Sequence, residues 1–450
     1  MLLPSLLIVF ITVQASSATI NLSIFRRGGR FTDHKPCNLT HLSEILAATE
    51  QRYLTTYRGV DENRLVRRWR PTTGDDDHLL QAIGGDGSWY AALEVGSPPQ
   101  ELQFDLDMLG PDFYTVMTTS AEGSRYNTFA SVTFDEDGSF DHAMCKRASD
   151  LFELSTSVRL SLPICTPPKA SSLTLRSSGS VIGLGPPGFL TRLSGLNILD
   201  QLHTQGFITD TISSVTILDA ETGVLSLGGT IAKDAEEAKI RAGIELQHFG
   251  QAEASPEWVQ ARVVEGMGLF DSTSVEKQFK WTKTQGPPGW WTTLMPGVWI
   301  NGAKVMRNQP VLLDIQSPFI LAPSEAARQF YAAIGGSYRL PAPHDMFFAI
   351  PCLNKVNIAF EMAGWNFPVM SAETTRFDSL HGPPGGPLSL GKLEDGTGYC
   401  VGVVVETRMG ESSEWADSGL KRTWVLGEPF FRGLGVVFDH EKGRIGLRSY

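Results

Sequence analysis

From residue 85 onward the chain is written in short apolar or alternating runs, WYAALEVG, ELQFDLDML, SVTF, SVIGLG and GVLSLGG, punctuated by Gly and Pro. Alternation with a period of two, and brief fully apolar runs, are the patterns of half-buried and fully buried strands, and Gly and Pro between them mark tight turns. Helical periodicity is clearest in SEAARQFYAAIGG (324–336), with Ser324 placed to cap the first turn and Gly335 to end the last. Two of the runs recur in order. LQFDLDML (102–109) followed by SVIGLG (180–185) is matched by PVLLDIQSPFIL (310–321) followed by WVLGEPF (424–430). A duplication of this kind predicts two β lobes of similar plan about an approximate twofold axis. Strand character lapses over 231–255, where the connection is expected.

Length and composition agree. A chain of 450 residues exceeds what a single core holds, and two lobes of roughly 150 to 200 residues are expected. Hydrophobic residues make up 42% and charged residues 19%, with 45 Gly and 26 Pro, which suits a turn-rich β protein rather than a helical bundle or a disordered chain. The division predicted is 1–18, 19–80, a first lobe over 81–240 with Asp107, and a second over 241–450 with Asp314. Residues 1–18, MLLPSLLIVFITVQASSA, form a short apolar run closing on small residues, the pattern of a signal peptide. Broken by Pro4 and ended by Gln14, it is too short to span a bilayer comfortably, so secretion or vacuolar delivery without stable membrane insertion is expected. Sequons at Asn21 and Asn38 are compatible with that route. The five cysteines, Cys37, Cys145, Cys165, Cys352 and Cys400, lack C-x-x-C spacing, which argues against metal or thioredoxin-type chemistry and for disulfides. Pairing Cys352 with Cys400 and Cys145 with Cys165 would leave Cys37 over, in a removable or separately tethered segment.

Charge divides the chain at the same place. Residues 19–70 carry ten basic and five acidic side chains, a net of +5; residues 1–18 carry none and the whole is −11, so residues from 71 onward carry −16. The arginines are dispersed and the body is acidic, which argues against a nucleic-acid partner and for a prosegment covering an acidic cleft. Arg67 and Arg68, in LVRRWRP, form a candidate processing site. A solvated helix face would carry the same charge pattern.

An Asp inside an apolar strand is costly unless its charge is shared, hydrogen-bonded or neutralised. Asp107 and Asp314 both stand in that position. Brought together by twofold packing, two carboxylates cannot both ionise, and a pair sharing one proton can hold a water, with one Asp as base and the other as acid. Such chemistry needs no metal and no cofactor.

From about residue 86 the chain resembles the pepsin-like aspartic peptidases, and among them the divergent fungal secreted members. WYAALEVGSPPQELQFDLD resembles the opening strand, turn and first Asp strand; SVIGLGPPG and ILDAETGVLSLGG resemble later first-lobe elements. PVLLDIQSPFILAPSEAARQFYAAIGG resembles the second Asp loop and its helix, and WVLGEPFFRGLGVVFDHEKGRIGL is similar to the C-terminal signature. The resemblance implies a bilobal all-β fold, a cleft between lobes with Asp107 and Asp314 as catalytic residues, a flap over the cleft and no cofactor. Phe134, in SVTFDEDGS (131–139), stands where the family carries its flap Tyr, Tyr114 stands where it carries Trp, and Cys352 and Cys400 fall where it places its second-lobe disulfide. The implied function is acid-active endopeptidase acting as a monomer on polypeptide substrates. There are departures. The family's Asp-Thr/Ser-Gly triplets are here Asp107-Met108-Leu109 and Asp314-Ile315-Gln316. The hydroxyl clasp across the interface and the glycine that lets the backbone amide approach the carboxylate are both expected to be lost, with apolar packing by Met108 and Ile315 in place of the clasp. These losses motivate a second reading, a peptide- or polysaccharide-binding pseudopeptidase. Paired carboxylates also serve glycosidases, a third reading.

Other signals fail on their own chemistry. GLGPPG (183–188) matches a phosphate-binding string, but two prolines remove the amide donors. GPLSLGKL (386–393) lacks the hydroxyl a P-loop needs at its last position. Neither H-E-x-x-H nor G-x-S-x-G occurs. Trp290 and Trp291 suit either a cleft lining or a buried sheet face.

Overall fold

The architecture comes from a computed structural model, which describes residues 19–27, 36–58, 87–116, 126–142, 145–154, 157–165, 180–186, 197–218, 221–230, 276–286, 289–354, 356–369, 389–409 and 420–449. The signal-peptide run, the Arg67-Arg68 pair and the connection at 231–255 lie outside these residues.

Two N-terminal elements, β1 (Ile20–Arg26) and α1 (Leu39–Arg58), precede the lobes. The first lobe contains β2 (Trp89–Val95), β3 (Gln100–Asp107), β4 (Phe113–Val116), β5 (Asp135–His142), β6 (Cys145–Glu153), β7 (Ser157–Ser161), β8 (Ile164–Cys165), β9 (Ser180–Gly183), α2 (Ile198–Thr204), β10 (Ile212–Ile217) and β11 (Thr222–Leu227). Next come β12 (Lys280–Lys283), β13 (Thr292–Ile300), β14 (Ala303–Leu313), β15 (Ile320–Pro323), α3 (Ser324–Ala332), β16 (Tyr338–Arg339), β17 (Phe348–Pro351), β18 (Ile358–Met362) and β19 (Trp365–Pro368). The chain closes with β20 (Ser389–Lys392), β21 (Tyr399–Gly402), β22 (Val404–Thr407), β23 (Trp424–Leu426), α4 (Glu428–Phe431), β24 (Leu434–Asp439) and β25 (Arg444–Ser449). This is the bilobal all-β fold that the strand pattern predicts, of the pepsin-like kind that the resemblance implies.

The duplication is visible strand by strand. In one lobe the neighbours run β2-β3-β9-β4-β8, with pairings antiparallel, parallel, antiparallel and parallel. In the other, β13-β14-β23-β15-β22 follows the same sequence of pairings. The small residue ending each second element is required sterically. A Cβ on Gly183 would overlap the backbone of Pro111 and Asp112, and one on Gly427 would overlap the carbonyl oxygens of Ser317 and Phe319.

The two plans are joined by a sheet in which β12-β25-β24-β10-β11-β1 leads into β2. A C-terminal strand therefore pairs with a first-lobe strand, Val436 facing Val215, and the N-terminal β1 joins the same sheet, Leu22 facing Leu225 of β11. No strand was expected before residue 85, yet β1 lies between β11 and β2, with Ile20, Leu22, Ile24 and Arg26 buried at alternate positions. The period-two pattern in INLSIFR is the signal for it. Helix α1 was likewise not expected. Its buried stripe, Leu42, Leu46, Thr49 and Tyr53, follows helical spacing, and the Asn38 side chain accepts the His41 amide at its start. The helix that was expected begins at Ser324 with Pro323 in the cap position and no side-chain capping bond, and it ends at Ala332, with Ala333 as its C-cap, ahead of Gly336 at φ +78°.

Cys352 and Cys400 form a disulfide, and Cys37 is free and buried. Cys145 and Cys165 are backbone register partners on β6 and β8. Among the described residues, no helix is long and apolar enough to cross a membrane.

His440 sits where the joining sheet meets the second lobe. It is buried, with its Nε2 3.0 Å from the Ser213 hydroxyl and its ring edge-on to Trp291 at 5.0 Å. Burial holds its pKa down at about 3, against a smaller opposing effect of Asp439. The unfolded chain takes up this proton below about pH 6.5 and the folded one does not, so the stabilisation is complete above that pH and is lost on acidification toward pH 3. Urea unfolding between pH 7 and 4 is expected to show His440→Gln losing markedly less stability than the native chain, although it starts from a lower value; parallel curves would contradict this assignment.

Candidate active site

Asp107 ends β3, which the chain reaches through the buried alternation Leu102, Phe104 and Leu106. Asp314 follows the buried run Val311, Leu312 and Leu313 at the end of β14. The parallel neighbour holds each one by its main chain. Leu184 N–H donates to the Asp107 carbonyl at 2.6 Å, and Asp314 N–H donates to the Leu426 carbonyl at 3.1 Å.

The side-chain settings repeat too. The Oδ1 of Asp107 accepts the Leu109 amide at 2.9 Å, and the Oδ1 of Asp314 accepts the Gln316 amide at 3.1 Å. The amide two residues on thus reaches each carboxylate without glycine, contrary to expectation. Neither Leu109 nor Gln316 has a positive φ, so the approach is open to an L-residue. Met108 and Ile315 are fully buried in the common core, in keeping with apolar packing in place of hydroxyls.

A polar tie across the lobes is nonetheless present, supplied by other residues. The Gln316 carboxamide accepts the Trp89 N–H at 2.9 Å and donates to the Trp89 carbonyl at 2.6 Å. In return, the indole N–H of Trp291 donates to the Leu184 carbonyl at 2.7 Å. Trp89 opens β2 and Trp291 immediately precedes β13, equivalent places in the duplicated plan. Trp290 and Trp291 are both buried, which fits the sheet-face reading.

Helix α1 delivers two side chains to this junction. The Arg52 guanidinium forms an ion pair with the Asp314 Oδ2, and the Tyr53 hydroxyl donates to the same oxygen at 2.5 Å. Tyr53 is fully buried, with its ring 6.5 Å from that of Trp290. Burial is the main cause raising its pKa; Arg52 opposes it and the charge of Asp107 adds to it. Tyr53 thus contacts Asp314 directly, and the charge of Asp107 adds to the rise in its pKa. Sequence reasoning missed Arg52 and Tyr53 as site residues, although helical spacing places Tyr53 on the buried stripe.

A third carboxylate was also missed. Asp105, two residues before Asp107, is fully buried and ion-paired with Arg27, the residue after β1. Burial pushes its pKa up to about 6, against the opposing pull of Arg27, and the Asp107 charge adds to the rise. Phe134 lies just ahead of β5, its ring 6.0 Å from Tyr126, at the end of the β5–β6 pair away from the His142 and Cys145 register partners.

Residues 260–450 match the family model for eukaryotic aspartyl protease. The matched region holds Asp314, Gln316, the Cys352–Cys400 disulfide and the C-terminal strands. Asp107 lies outside it and is linked to it by the duplicated topology. No curated protein matches the chain.

Gln316→Ala removes both hydrogen bonds to Trp89 and leaves a buried peptide group unpaired. A loss of about 2–4 kcal/mol is expected in denaturant unfolding. A loss below about 0.5 kcal/mol would show that the tie contributes nothing to lobe packing.

Proposed function

We propose that the chain is a secreted aspartic endopeptidase made in a latent form, with Asp107 and Asp314 as its catalytic pair. The observation that carries this reading is the equivalent setting of the two carboxylates in the duplicated plan, each receiving the amide two residues ahead of it, with the Tyr53 phenol on Asp314. Two like charges so placed favour a singly protonated pair. The ionised member takes a proton from water as its oxygen attacks the scissile carbonyl, and the protonated member gives its proton to the carbonyl oxygen. Collapse of the tetrahedral species breaks the C–N bond as a proton passes to the leaving nitrogen.

In this reading residues 19–80 are the prosegment, and Arg52 and Tyr53 are its blocking residues, since they occupy the face of Asp314 that a substrate and water would use. Its net charge of +5 over residues 19–70 against −16 from residue 71 onward favours the docked state. Delivery through the secretory route to the exterior or a vacuole is part of the same proposal; the disulfide and the apolar run at 1–18 support it. The flap role falls to the β5–β6 hairpin, and the working form is a monomer acting on polypeptides at acid pH.

The test is cleavage of an unfolded polypeptide after acid treatment of the full chain. Native protein should cleave it, and Asp107→Asn and Asp314→Asn should each lower turnover by on the order of 10³-fold or more. No cleavage by the native chain, or undiminished cleavage by either variant, would overturn the proposal.

A further inference from the structure

Beside the aspartate pair lies an acceptor set that the hydrolytic step does not use. Asp105 and Asp107 are two apart on β3, so their side chains leave the same face of the strand, about 6–7 Å apart along it. Tyr90 of β2 is the register partner of Asp105. Into this set comes one guanidinium. Arg27 pairs with the Asp105 carboxylate, donates from its other terminal nitrogen to the Gln103 Oε1 at 3.2 Å, and lies over the Tyr90 ring with its Cζ 4.6 Å from the centroid.

These three features match one ligand chemistry. Two acceptors take the two arms of a planar fork, and an aromatic face takes its flat side, an arrangement that favours arginine over lysine and over any neutral group. Among the described residues, the Asp105 Oδ2 has no hydrogen-bond partner, so the site keeps a spare acceptor. Arg27 belongs to the basic N-terminal segment, whereas Asp105, Gln103 and Tyr90 belong to the acidic body. Once that segment leaves, a buried carboxylate beside Asp107 is left without its cation, and such a group is costly unless another cation replaces it.

We propose that Asp105, Gln103 and Tyr90 form a specificity site for an arginine side chain of the substrate, occupied in the latent state by Arg27 of the chain itself. The inference rests on the peptidase reading for its substrate and deepens it: the substrates are polypeptides with an arginine near the cleaved bond. Burial raises the pKa of Asp105 to about 6, and an arriving guanidinium favours its ionised form.

Two measurements test this. The first needs no turnover. In the full-length Arg27→Ala chain, millimolar agmatine, a small guanidinium compound, should raise the melting temperature. It should do nothing for the native chain or for Arg27→Ala/Asp105→Asn, and butylammonium at equal ionic strength should act more weakly. Absence of an agmatine response in Arg27→Ala, or persistence of the response in the double variant, would overturn the proposal. The second measurement maps cleavage sites in an unfolded polypeptide by mass spectrometry and also serves if Arg27→Ala does not fold. Native protein should favour bonds close to Arg, and Asp105→Asn should lower the ratio of Arg-adjacent to Leu-adjacent cleavage by about tenfold or more. Cleavage without an arginine preference would overturn this proposal while leaving the peptidase reading standing. An agmatine response in a chain that cleaves nothing would support the site and remove the peptidase reading.

Discussion

A carboxylate taken out of water has to be met by a cation or by several donors, and among the described residues three are buried where the N-terminal segment meets the lobes. Asp105, Asp314 and Glu428 are all buried. Each is approached by an arginine from the first sixty residues: Arg27 by Asp105, Arg52 by Asp314, and Arg26 by Glu428 at 3.8 Å, where Arg432 also makes a bidentate contact. The N-terminal segment is therefore not draped over a finished body. β1 is an interior strand of the joining sheet, and α1 places its cation at Asp314. Any event that removes the segment must supply other partners for these charges or let them take up protons.

The duplicated plan explains why the charges gather there. In both lobes an Asp is placed at the end of an apolar strand, with a parallel neighbour whose terminal glycine lets the following loop pass close by. Among the described residues, a carboxamide and an indole join these loops across the lobes, Gln316 to the Trp89 main chain and Trp291 to Leu184. Met108 and Ile315 fill the space beneath with apolar volume. The carboxylate settings do without the hydroxyl clasp, because they depend on main-chain amides that most residue types can present.

What could be read from the amino-acid string follows the same division. The lobes and both aspartates were legible because an Asp in an apolar run is rare and this one recurs, with SVIG and WVLG following in the same order. Gln316 was visible only as a departure from a motif, since nothing local reveals that its carboxamide spans to Trp89. Asp105 stood in plain view in LQFDLDML, overshadowed by Asp107; its significance depends on Arg27, which a fold, not a spacing, brings near. β1 and α1 did carry readable periodicities, but a basic, polar-rich stretch ahead of the lobes invites a reading of charge before one of pattern. Phe134 was read from local likeness alone, and the structure places it just ahead of β5.

The central claim is that Asp107 and Asp314 form one site that α1 occupies through Arg52 and Tyr53. Calorimetric binding of a statine-type peptide, whose hydroxyl stands in for the attacking water, tests it most directly on acid-treated protein. The account predicts one-to-one binding that is lost in both Asp107→Asn and Asp314→Asn and is competed by a synthetic peptide spanning residues 39–58. Binding that survives either substitution, or that is indifferent to the competing helix, would contradict it.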